Sequence, residues 1–480
     1  MMFTAPSSKT LSVVLAAVLG AALFLSVFRL TESPAVWYDE GLIVQPALNV
    51  AKYGEYSVQT APGKFISPSF ISVGYPVLYP LAAVFGLFGF GVLQARLVMA
   101  FFLMAFFASA FFYLRKNSNR WAVVWGLLLL ASFAPLYGNG KGVLGEVPGL
   151  SFLACSLVFL RSSNKGAKWS WLVSGLFAGL CVATKPIFIL FIGALGLSFL
   201  LNWKKELFSL KDLALFVAGF FLPFAVWLFT QISGSDSGSA MLRWYLNPYS
   251  LADLGVVALA NMARFLTEAA PAYTAALMTV WAASLWIRKK RTEKIEIAEQ
   301  AAFIFAVLIL GFYLRTPGWY RYFFPAQVVA LLHMPTAGSA IVEYAGNFRR
   351  KFGIALGAVG VALIGFQFYQ VGFDSWAAGH YANTRTAELS AYFAAIPPGA
   401  GVFLYNVPEL SYFIGDRPYF QYLELTPAMA RGEDQLAAIQ QRQPDLIIIR
   451  SAAFAERAGQ FPGYREREKF DSYTLLEKRP

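Results

Sequence analysis

Long apolar runs constrain the fold of this chain more than any other feature of its sequence. A helix needs about 17–25 apolar residues to cross the hydrocarbon layer of a membrane. Runs of about this length lie at Leu11–Phe28, Leu97–Leu114, Leu213–Phe229 and Ile354–Phe373. Shorter or interrupted runs lie at Trp121–Tyr137, Val147–Leu160, Trp171–Thr184, Pro186–Leu201, Tyr273–Ile287, Ala298–Leu314 and Tyr322–Val342. We therefore predict a polytopic α-helical membrane protein with about eleven transmembrane helices.

The composition agrees with this prediction. Hydrophobic residues make up 58% of the 480 residues and charged residues 14%, whereas soluble domains carry about 25% charged residues. The first run follows Lys9, as a secretory signal would, but it is longer than the apolar part of a signal and no A-x-A cleavage site follows it. We expect it to remain as the first transmembrane helix.

The basic residues predict how the chain is oriented. They recur in alternate short loops, as Arg115-Lys116 with Arg120, Arg161 with Lys165 and Lys168, Lys204-Lys205 with Lys211, Arg288-Lys289-Lys290-Arg291, and Arg349-Arg350-Lys351. The positive-inside rule places these loops and the N-terminus in the cytoplasm. Because the net charge of +12 is distributed in this way, we interpret it as a sign of topology and not of nucleic-acid binding.

The other connections are long or acidic and are predicted to face outward. They cover residues 31–74, 138–146, 233–271 and 315–321, and the tail after about Asp374. With Lys9 in the cytoplasm, the first run must end outside, and the run Leu97–Leu114 must lead back in for Arg115 to be cytoplasmic. A full crossing by the Pro-interrupted stretch Tyr75–Val92 would reverse this order. We therefore expect that stretch to dip into the outer leaflet and return. The predicted localisation is an integral protein of a bacterial plasma membrane, with its C-terminal part periplasmic or extracellular.

The tail differs from the rest of the chain in composition. It becomes polar near Ala377, and Gly401–Tyr405 and Asp445–Arg450 resemble buried strands on either side of a helical pattern at Arg431–Gln443. A further strand is expected near Ser472–Glu477. We predict a membrane domain over residues 1–376 and a small α/β extracytoplasmic domain over residues 377–480.

The candidate catalytic residues begin with the adjacent acids Asp39 and Glu40 in the outer loop 31–74. At the start of a helix, one carboxylate can point inward while the other caps the helix. The alternative is that both acids only cap a surface helix and favour its dipole. Glu146 lies at the outward start of a later apolar run, where it too could be a dipole partner.

Basic residues are predicted on the same outer surface. Lys185 lies between two apolar runs, and Arg315 and Arg321 lie among aromatic residues. Snorkelling to the membrane interface would explain each of them separately. Together with two acids, however, they provide what sugar transfer from a lipid phosphate requires. A carboxylate can accept the proton of an acceptor hydroxyl, and Lys and Arg can neutralise the departing phosphate.

The order of these motifs resembles that of the GT-C glycosyltransferases, in particular the family of protein O-mannosyltransferases and aminoarabinose transferases. The matching motifs are Asp39-Glu40, Gly145-Glu146, Thr184-Lys185-Pro186 and Arg321-Tyr322-Phe-Phe-Pro325. The resemblance implies an inverting glycosyltransferase with a polyprenyl-phosphate sugar as donor. By resemblance, Asp39 would be the base with Glu40 beside it, and Glu146 would take a supporting or metal-binding role. Lys185 and Arg321 would bind the donor phosphate, and we add Tyr320, Tyr322 and Arg243 to that site.

The sequence also departs from this family. The usual His-Pro-Pro or Lys-Pro-Pro element is replaced by Tyr75-Pro76, and Gly41-Leu42-Ile43 follows the acidic pair where aminoarabinose transferases tend to carry an arginine. Modification of lipid A is therefore not favoured. A divalent cation on Asp39 and Glu146 stays open, because hard cations take oxygen ligands.

The acceptor and two rival functions also stay open. A glycolipid, a glycan or a protein could be the acceptor. The rivals are a flippase or transporter of lipid-linked sugars and an O-antigen-ligase-like transferase. The first would need paired repeats with broken helices at the membrane midplane, and the second a long outer loop rich in Arg and His.

Overall fold

The computed structural model describes residues 8–116, 120–163, 169–202, 209–232, 253–415, 417–424 and 442–479. Three parts of the sequence predictions lie outside these ranges. They are the candidate phosphate ligand Arg243, the basic loop residues Lys165, Lys168, Lys204 and Lys205, and most of the helical pattern at Arg431–Gln443.

The predicted fold class is confirmed, since the chain is largely helical and ends in a small sheet domain. The helices that precede the sheet domain are α1 (Ser8–Val27), α2 (Tyr38–Tyr53), α3 (Tyr75–Phe88), α4 (Val92–Arg115), α5 (Arg120–Ala131), α6 (Ala134–Lys141), α7 (Glu146–Ser163), α8 (Trp169–Thr184), α9 (Ile189–Asn202), α10 (Leu210–Ile232), α11 (Leu254–Thr267), α12 (Ala269–Lys290), α13 (Ile297–Tyr313), α14 (Phe324–Tyr344) and α15 (Arg349–Phe373).

The helix lengths bear on the number of crossings. Within the described residues, six helices are long and apolar enough to span a membrane, or seven if the bent pair α5 and α6 forms one crossing. Shorter apolar helices include α3, α8, α9, α11 and α13. Helix α3 has 14 residues, which gives about 21 Å at 1.5 Å per residue, less than the hydrocarbon thickness of about 30 Å. The figure of about eleven crossings and the dip at Tyr75–Val92 remain predictions.

The run Trp121–Tyr137, predicted as one helix, is broken in the structure. Helix α5 ends at Ala131, and α6 starts at Ala134 with an angle of 59° between the two. Pro135, in the first turn of α6, has no backbone N–H to continue the ladder of α5. The hydroxyl of Tyr137 donates to the carbonyl of Ala131 over 2.7 Å, which ties the two helices together. The break opens space beside α15.

The outer connection 233–271, predicted as a loop, contains helix α11. The carboxylate of Asp253 caps its start by accepting from the backbone N–H groups of Gly255 and Val256. The side-chain amide of Asn261 donates to the carbonyl of Thr316 over 2.8 Å. Helix α11 is thereby fixed to the segment that precedes Arg321.

The C-terminal domain is built on a five-stranded sheet. Its strands are β3 (Val402–Tyr405), β4 (Tyr419–Tyr422), β5 (Leu446–Arg450), β6 (Tyr464–Phe470) and β7 (Tyr473–Lys478), after the hairpin β1 (Val58–Ala61) and β2 (Lys64–Ile66) of the outer loop. The spatial order is β4-β3-β5-β7-β6, with the first three strands parallel and β7 antiparallel to both of its neighbours. Strands β3, β5 and β7 lie where the sequence predicted strands. The boundary between the two domains at residue 376 stays a prediction.

The C-terminal domain packs directly on the start of α2. The phenol of Tyr38 donates to the side-chain oxygen of Asn406 over 2.9 Å, and burial raises the pKa of this phenol, so it stays protonated and can donate. Gly41 lies against the backbone of Pro408 and Glu409, where any side chain at position 41 would collide. The sheet domain therefore fixes the helix that carries Asp39.

Candidate active site

Asp39 lies in the first turn of α2 and forms an ion pair with Arg321. Arg321 belongs to a short 3-10 turn, Tyr320–Tyr322, just before α14. Its guanidinium lies 4.8 Å from the ring centroid of Trp319 and 5.7 Å from that of Trp37. The Asp39 side chain is 29% exposed and that of Arg321 is 16% exposed, so both groups are held in place and can still be reached by a ligand.

Glu40 points away from Asp39 into the protein, where it pairs with Arg96 of α4. Two guanidinium nitrogens of Arg96 donate to the two carboxylate oxygens of Glu40 over 2.9 and 2.7 Å. The third nitrogen donates to the carbonyls of Leu30 and Pro34 over 2.9 and 2.7 Å. Both side chains are fully buried. The adjacent acids thus lie on different faces of α2, and Glu40 anchors the helix.

Glu146 and Lys185 form the third ion pair. Glu146 begins α7, and Lys185 lies between α8 and the 3-10 turn Pro186–Phe188. The second carboxylate oxygen of Glu146 is buried and has no hydrogen-bond partner among the described residues. Asp39 and Arg321 are close enough to Lys185 for their charges to act on it. The structure therefore brings the predicted residues Asp39, Glu146, Lys185 and Arg321 together.

The two predicted tyrosines differ in their surroundings. The phenol of Tyr320 donates to the side-chain oxygen of Gln327 over 2.5 Å, and the amide of Gln327 donates to the carbonyl of Ala270 over 3.1 Å. The ring of Tyr322 lies beneath the guanidinium of Arg321, which is 5.4 Å from its centroid. Tyr322 thus holds Arg321, while Tyr320 lines the neighbouring cavity.

A cavity of about 840 Å³ opens beside the Asp39–Arg321 pair. Its walls come from the α5–α6 break, the starts of α12 and α14, and the outer half of α15. The lining residues are largely apolar or aromatic and include Phe133, Ala134, Pro135, Ala269, Ala270, Leu363 and Phe366. A largely apolar space with a basic group in its lining fits a lipid chain with an anionic headgroup.

Sequence reasoning missed three residues of this site. Arg96 was not singled out because it immediately precedes the predicted span that begins at Leu97. Lys141 of α6 is buried and donates to the carbonyl of Phe28 over 2.8 Å. Trp37 lines the cavity, and its buried indole N–H has no partner among the described residues. In the sequence, Arg96 and Lys141 each lie among apolar or small residues. A basic side chain in such surroundings needs a partner, and this was the available signal that both residues are structurally important.

The donor set gives a poor fit to the divalent cation that the sequence left open. Asp39 and Glu146 are each neutralised by a basic side chain. In the part of the chain that the structure describes, no three His, Cys, Asp or Glu side chains lie together. Ca²⁺ takes about six to eight oxygen ligands, more than these two carboxylates supply, and Mg²⁺ binds through one or two carboxylates with waters and substrate phosphates. Both carboxylates here are already paired with a basic side chain, which disfavours either cation.

Comparisons with known proteins bear on the fold. No family model and no curated sequence matches the chain. Solved structures do match. The aminoarabinose transferase ArnT from Cupriavidus metallidurans bound to undecaprenyl phosphate superimposes with a TM-score of 0.62 at 13% identity, covering 98% of both chains. Its apo form gives a TM-score of 0.63 at 15% identity, again with 98% of both chains covered.

A second kind of enzyme also matches. The oligosaccharyltransferase AglB from Archaeoglobus fulgidus, in complex with an inhibitory peptide and a dolichol-phosphate, gives a TM-score of 0.53 at 11% identity over 91% of this chain and 69% of that one. At these identities the likeness concerns the fold.

Proposed function

We propose, from a GT-C fold that the chain shares with these solved glycosyltransferases, that it transfers a sugar from a polyprenyl-phosphate donor to an acceptor hydroxyl. The observation that carries the proposal is the Asp39–Arg321 ion pair at the end of the apolar cavity. The cavity would hold the first isoprene units, and Arg321 and Lys185 would hold the phosphate. Transfer would take place on the outer face of the membrane, where the charge pattern of the loops places these residues.

In this mechanism the incoming phosphate rearranges the ion pairs. Arg321 turns from Asp39 to the donor phosphate, because a guanidinium binds phosphate oxygens in a bidentate manner. The freed carboxylate of Asp39 accepts the proton of the acceptor hydroxyl. The acceptor oxygen forms a bond to the anomeric carbon while the bond from that carbon to the phosphate oxygen breaks, with inversion. The bond electrons leave on polyprenyl phosphate, whose added negative charge Arg321 and Lys185 stabilise.

Glu40 and Glu146 take supporting roles in the proposal. Glu40 is fully paired with Arg96, so it fixes the direction in which α2 presents Asp39. Glu146 orients Lys185 through one oxygen and keeps the other for hydrogen bonding during the reaction. The acceptor would be a glycolipid, a glycan or a protein that reaches the outer mouth of the cavity.

Reconstituted transfer tests the proposed function. The protein is placed in liposomes with a polyprenyl-phosphate sugar labelled in both the lipid and the sugar, together with envelope glycolipids or glycans as acceptors. Free polyprenyl phosphate and a labelled acceptor are expected to appear together. Movement of intact donor across the bilayer without release of polyprenyl phosphate would show a flippase and contradict the proposal.

Arg321→Ala should weaken use of the donor. Loss of a hydrogen bond to a charged group costs about 1.5–3 kcal/mol, which corresponds to about a 10- to 150-fold loss of kcat/KM for the donor. Arg321→Lys should recover part of this loss, because it keeps the charge but not the two-pronged contact. Initial rates at several donor concentrations measure the effect. Arg291→Ala is the control, because it removes a positive charge from a basic loop that is predicted to be cytoplasmic. An equal loss of kcat/KM in Arg291→Ala would contradict the assignment of Arg321 as a phosphate ligand.

Turnover should not depend on a divalent cation, since in the proposed mechanism Arg321 and Lys185 supply the positive charge that stabilises the leaving phosphate. After exhaustive treatment with EDTA and dialysis, we expect the rate to stay within about twofold of its starting value. The same preparation with Mg²⁺ or Mn²⁺ restored serves as the reference. A loss of activity that returns only with added metal would show that Asp39 or Glu146 exchanges its basic partner for a cation.

A further inference from the structure

The cavity carries very little net charge. Of the described residues that line it, Asp39 and Arg321 are the charged ones, and they pair with each other. Apart from the indole N–H groups of its tryptophans, the other polar side-chain groups of the lining are amides and hydroxyls. They belong to Asn139, Tyr273, Tyr320, Gln327, Gln367, Gln370 and Ser375.

The outer end of the cavity combines amides with aromatic rings. The rings of Trp37 and Trp376 meet edge to face with their centroids 5.8 Å apart. Asn139 donates its side-chain amide to the carbonyl of Pro135 over 2.9 Å, and Gln370 donates to the carboxylate of Asp374 over 2.9 Å. Each amide therefore keeps a carbonyl oxygen to offer to a ligand.

Deeper in the cavity, the polar groups are already bonded to one another. Ser132 donates to the side-chain oxygen of Gln367 over 2.7 Å, and the amide of Gln367 donates to the phenol of Tyr273 over 3.0 Å. Because these groups are satisfied, the inner part of the cavity suits an apolar chain. The amides of Asn139 and Gln370 at the outer end are the groups available to a sugar.

We propose that the donor sugar is uncharged, a hexose or pentose without a free amino or carboxyl group. This inference rests on the proposed function and names the substrate class of the same site. Neutral hydroxyls match the amide groups of Asn139 and Gln370 in hydrogen-bonding capacity and in charge. Aromatic faces such as those of Trp37 and Trp376 pack against the C–H groups of a sugar ring.

A charged sugar would interfere with the groups that carry out the reaction. An ammonium group on the sugar would pair with Asp39, the acidic residue of the lining. This pairing would neutralise the proposed base. A carboxylate would compete with the donor phosphate for Arg321. Left away from both residues, either charge would be desolvated without a partner, which is costly.

The test compares a donor whose sugar carries a positive charge with one whose amine is neutralised by acetylation. Three probes are used, namely polyprenyl phosphate, a polyprenyl-phosphate 4-amino-4-deoxypentose, and the same lipid with its amine N-acetylated. Each probe displaces labelled polyprenyl phosphate from the full-length protein in nanodiscs. At neutral pH we expect the acetylated probe to bind at least about tenfold more tightly than the free amine.

A charge introduced into the site should change this preference. Gln370→Glu should strengthen binding of the free amine relative to the acetylated probe, with each affinity taken as a ratio to that of bare polyprenyl phosphate for the same variant. Asp374→Asn is the matched control, since Asp374 contacts Gln370 but does not line the cavity, and it should preserve the preference for the acetylated probe. Equal or tighter binding of the free amine by the unmodified protein would overturn the inference while leaving the proposed function intact. Failure of polyprenyl phosphate itself to bind would contradict the proposed function.

Discussion

Asp39→Asn is expected to lower the turnover number by about 10²–10⁴-fold, the usual cost of removing a general base. Asparagine keeps the size of the side chain and can still accept a hydrogen bond from Arg321, so folding should be preserved. It cannot take the proton of an acceptor hydroxyl. Because the carboxylate no longer competes for Arg321, binding of polyprenyl phosphate should stay the same or become tighter.

Two measurements check this expectation together. Single-turnover release of polyprenyl phosphate gives the rate, and displacement of labelled polyprenyl phosphate gives the affinity. Asp212→Asn is a suitable control, since Asp212 caps the start of α10 through Ser209 and lies far along the chain from the site. Near-normal turnover in Asp39→Asn would contradict the assignment of Asp39 as the base. A parallel loss of affinity would mean that Asp39 acts mainly by holding Arg321.

The members of the site could be predicted from the sequence because topology groups them on one surface. Asp39, Glu146, Lys185 and Arg321 all follow or precede apolar runs at ends that are predicted to face outward, although Asp39 and Arg321 are 282 residues apart. The pairing among them could not be predicted. It depends on which helices are neighbours in the membrane, and apolar periodicity does not specify that.

The features of the fold that sequence reasoning missed have physical causes. Strand β6 reads Tyr-Arg-Glu-Arg-Glu-Lys-Phe and is exposed over its middle five residues, as is usual for a charged edge strand that avoids further pairing. It therefore lacks the continuous apolar run by which β3 and β5 were recognised. Helix α11 has exposed apolar residues at Val256, Leu259 and Leu266. With 14 residues, the helix is too short to be recognised as a transmembrane run.

The sheet domain matters to the site through mechanical support. Tyr38 and Gly41 contact Asn406 and Glu409 on either side of Asp39. Further along α2, the side chains of Gln45 and Gln421 exchange hydrogen bonds of 3.2 and 2.6 Å. Since side-chain position within about 0.5 Å decides catalytic efficiency, the sheet domain would control the proposed chemistry of Asp39 through the position of α2.

Breaking the ion pair between Glu40 and Arg96 should have the largest single effect on stability near the site. Removal of one partner from a buried pair costs about 3–5 kcal/mol, because the other charge is left without compensation. We therefore expect Glu40→Ala to lower the melting temperature strongly and to reduce the yield of folded protein. Arg96→Met should be at least as damaging, since the carbonyls of Leu30 and Pro34 also lose their donor.

The double variant Glu40→Ala with Arg96→Met tests whether the pair has a structural role through charge compensation. If the pair acts by mutual charge compensation, the double variant should melt well above the value expected from adding the two single losses, because it buries no lone charge. Thermal unfolding in detergent, monitored by size-exclusion chromatography, gives the melting temperatures of the two single variants and the double variant.

Glu40→Gln gives the decisive contrast with Asp39→Asn. For the folded fraction of Glu40→Gln, turnover per molecule should stay within about tenfold of that of the unmodified protein. A stable Glu40→Gln protein without turnover would instead make Glu40 the base, and the roles of the adjacent acids would be exchanged.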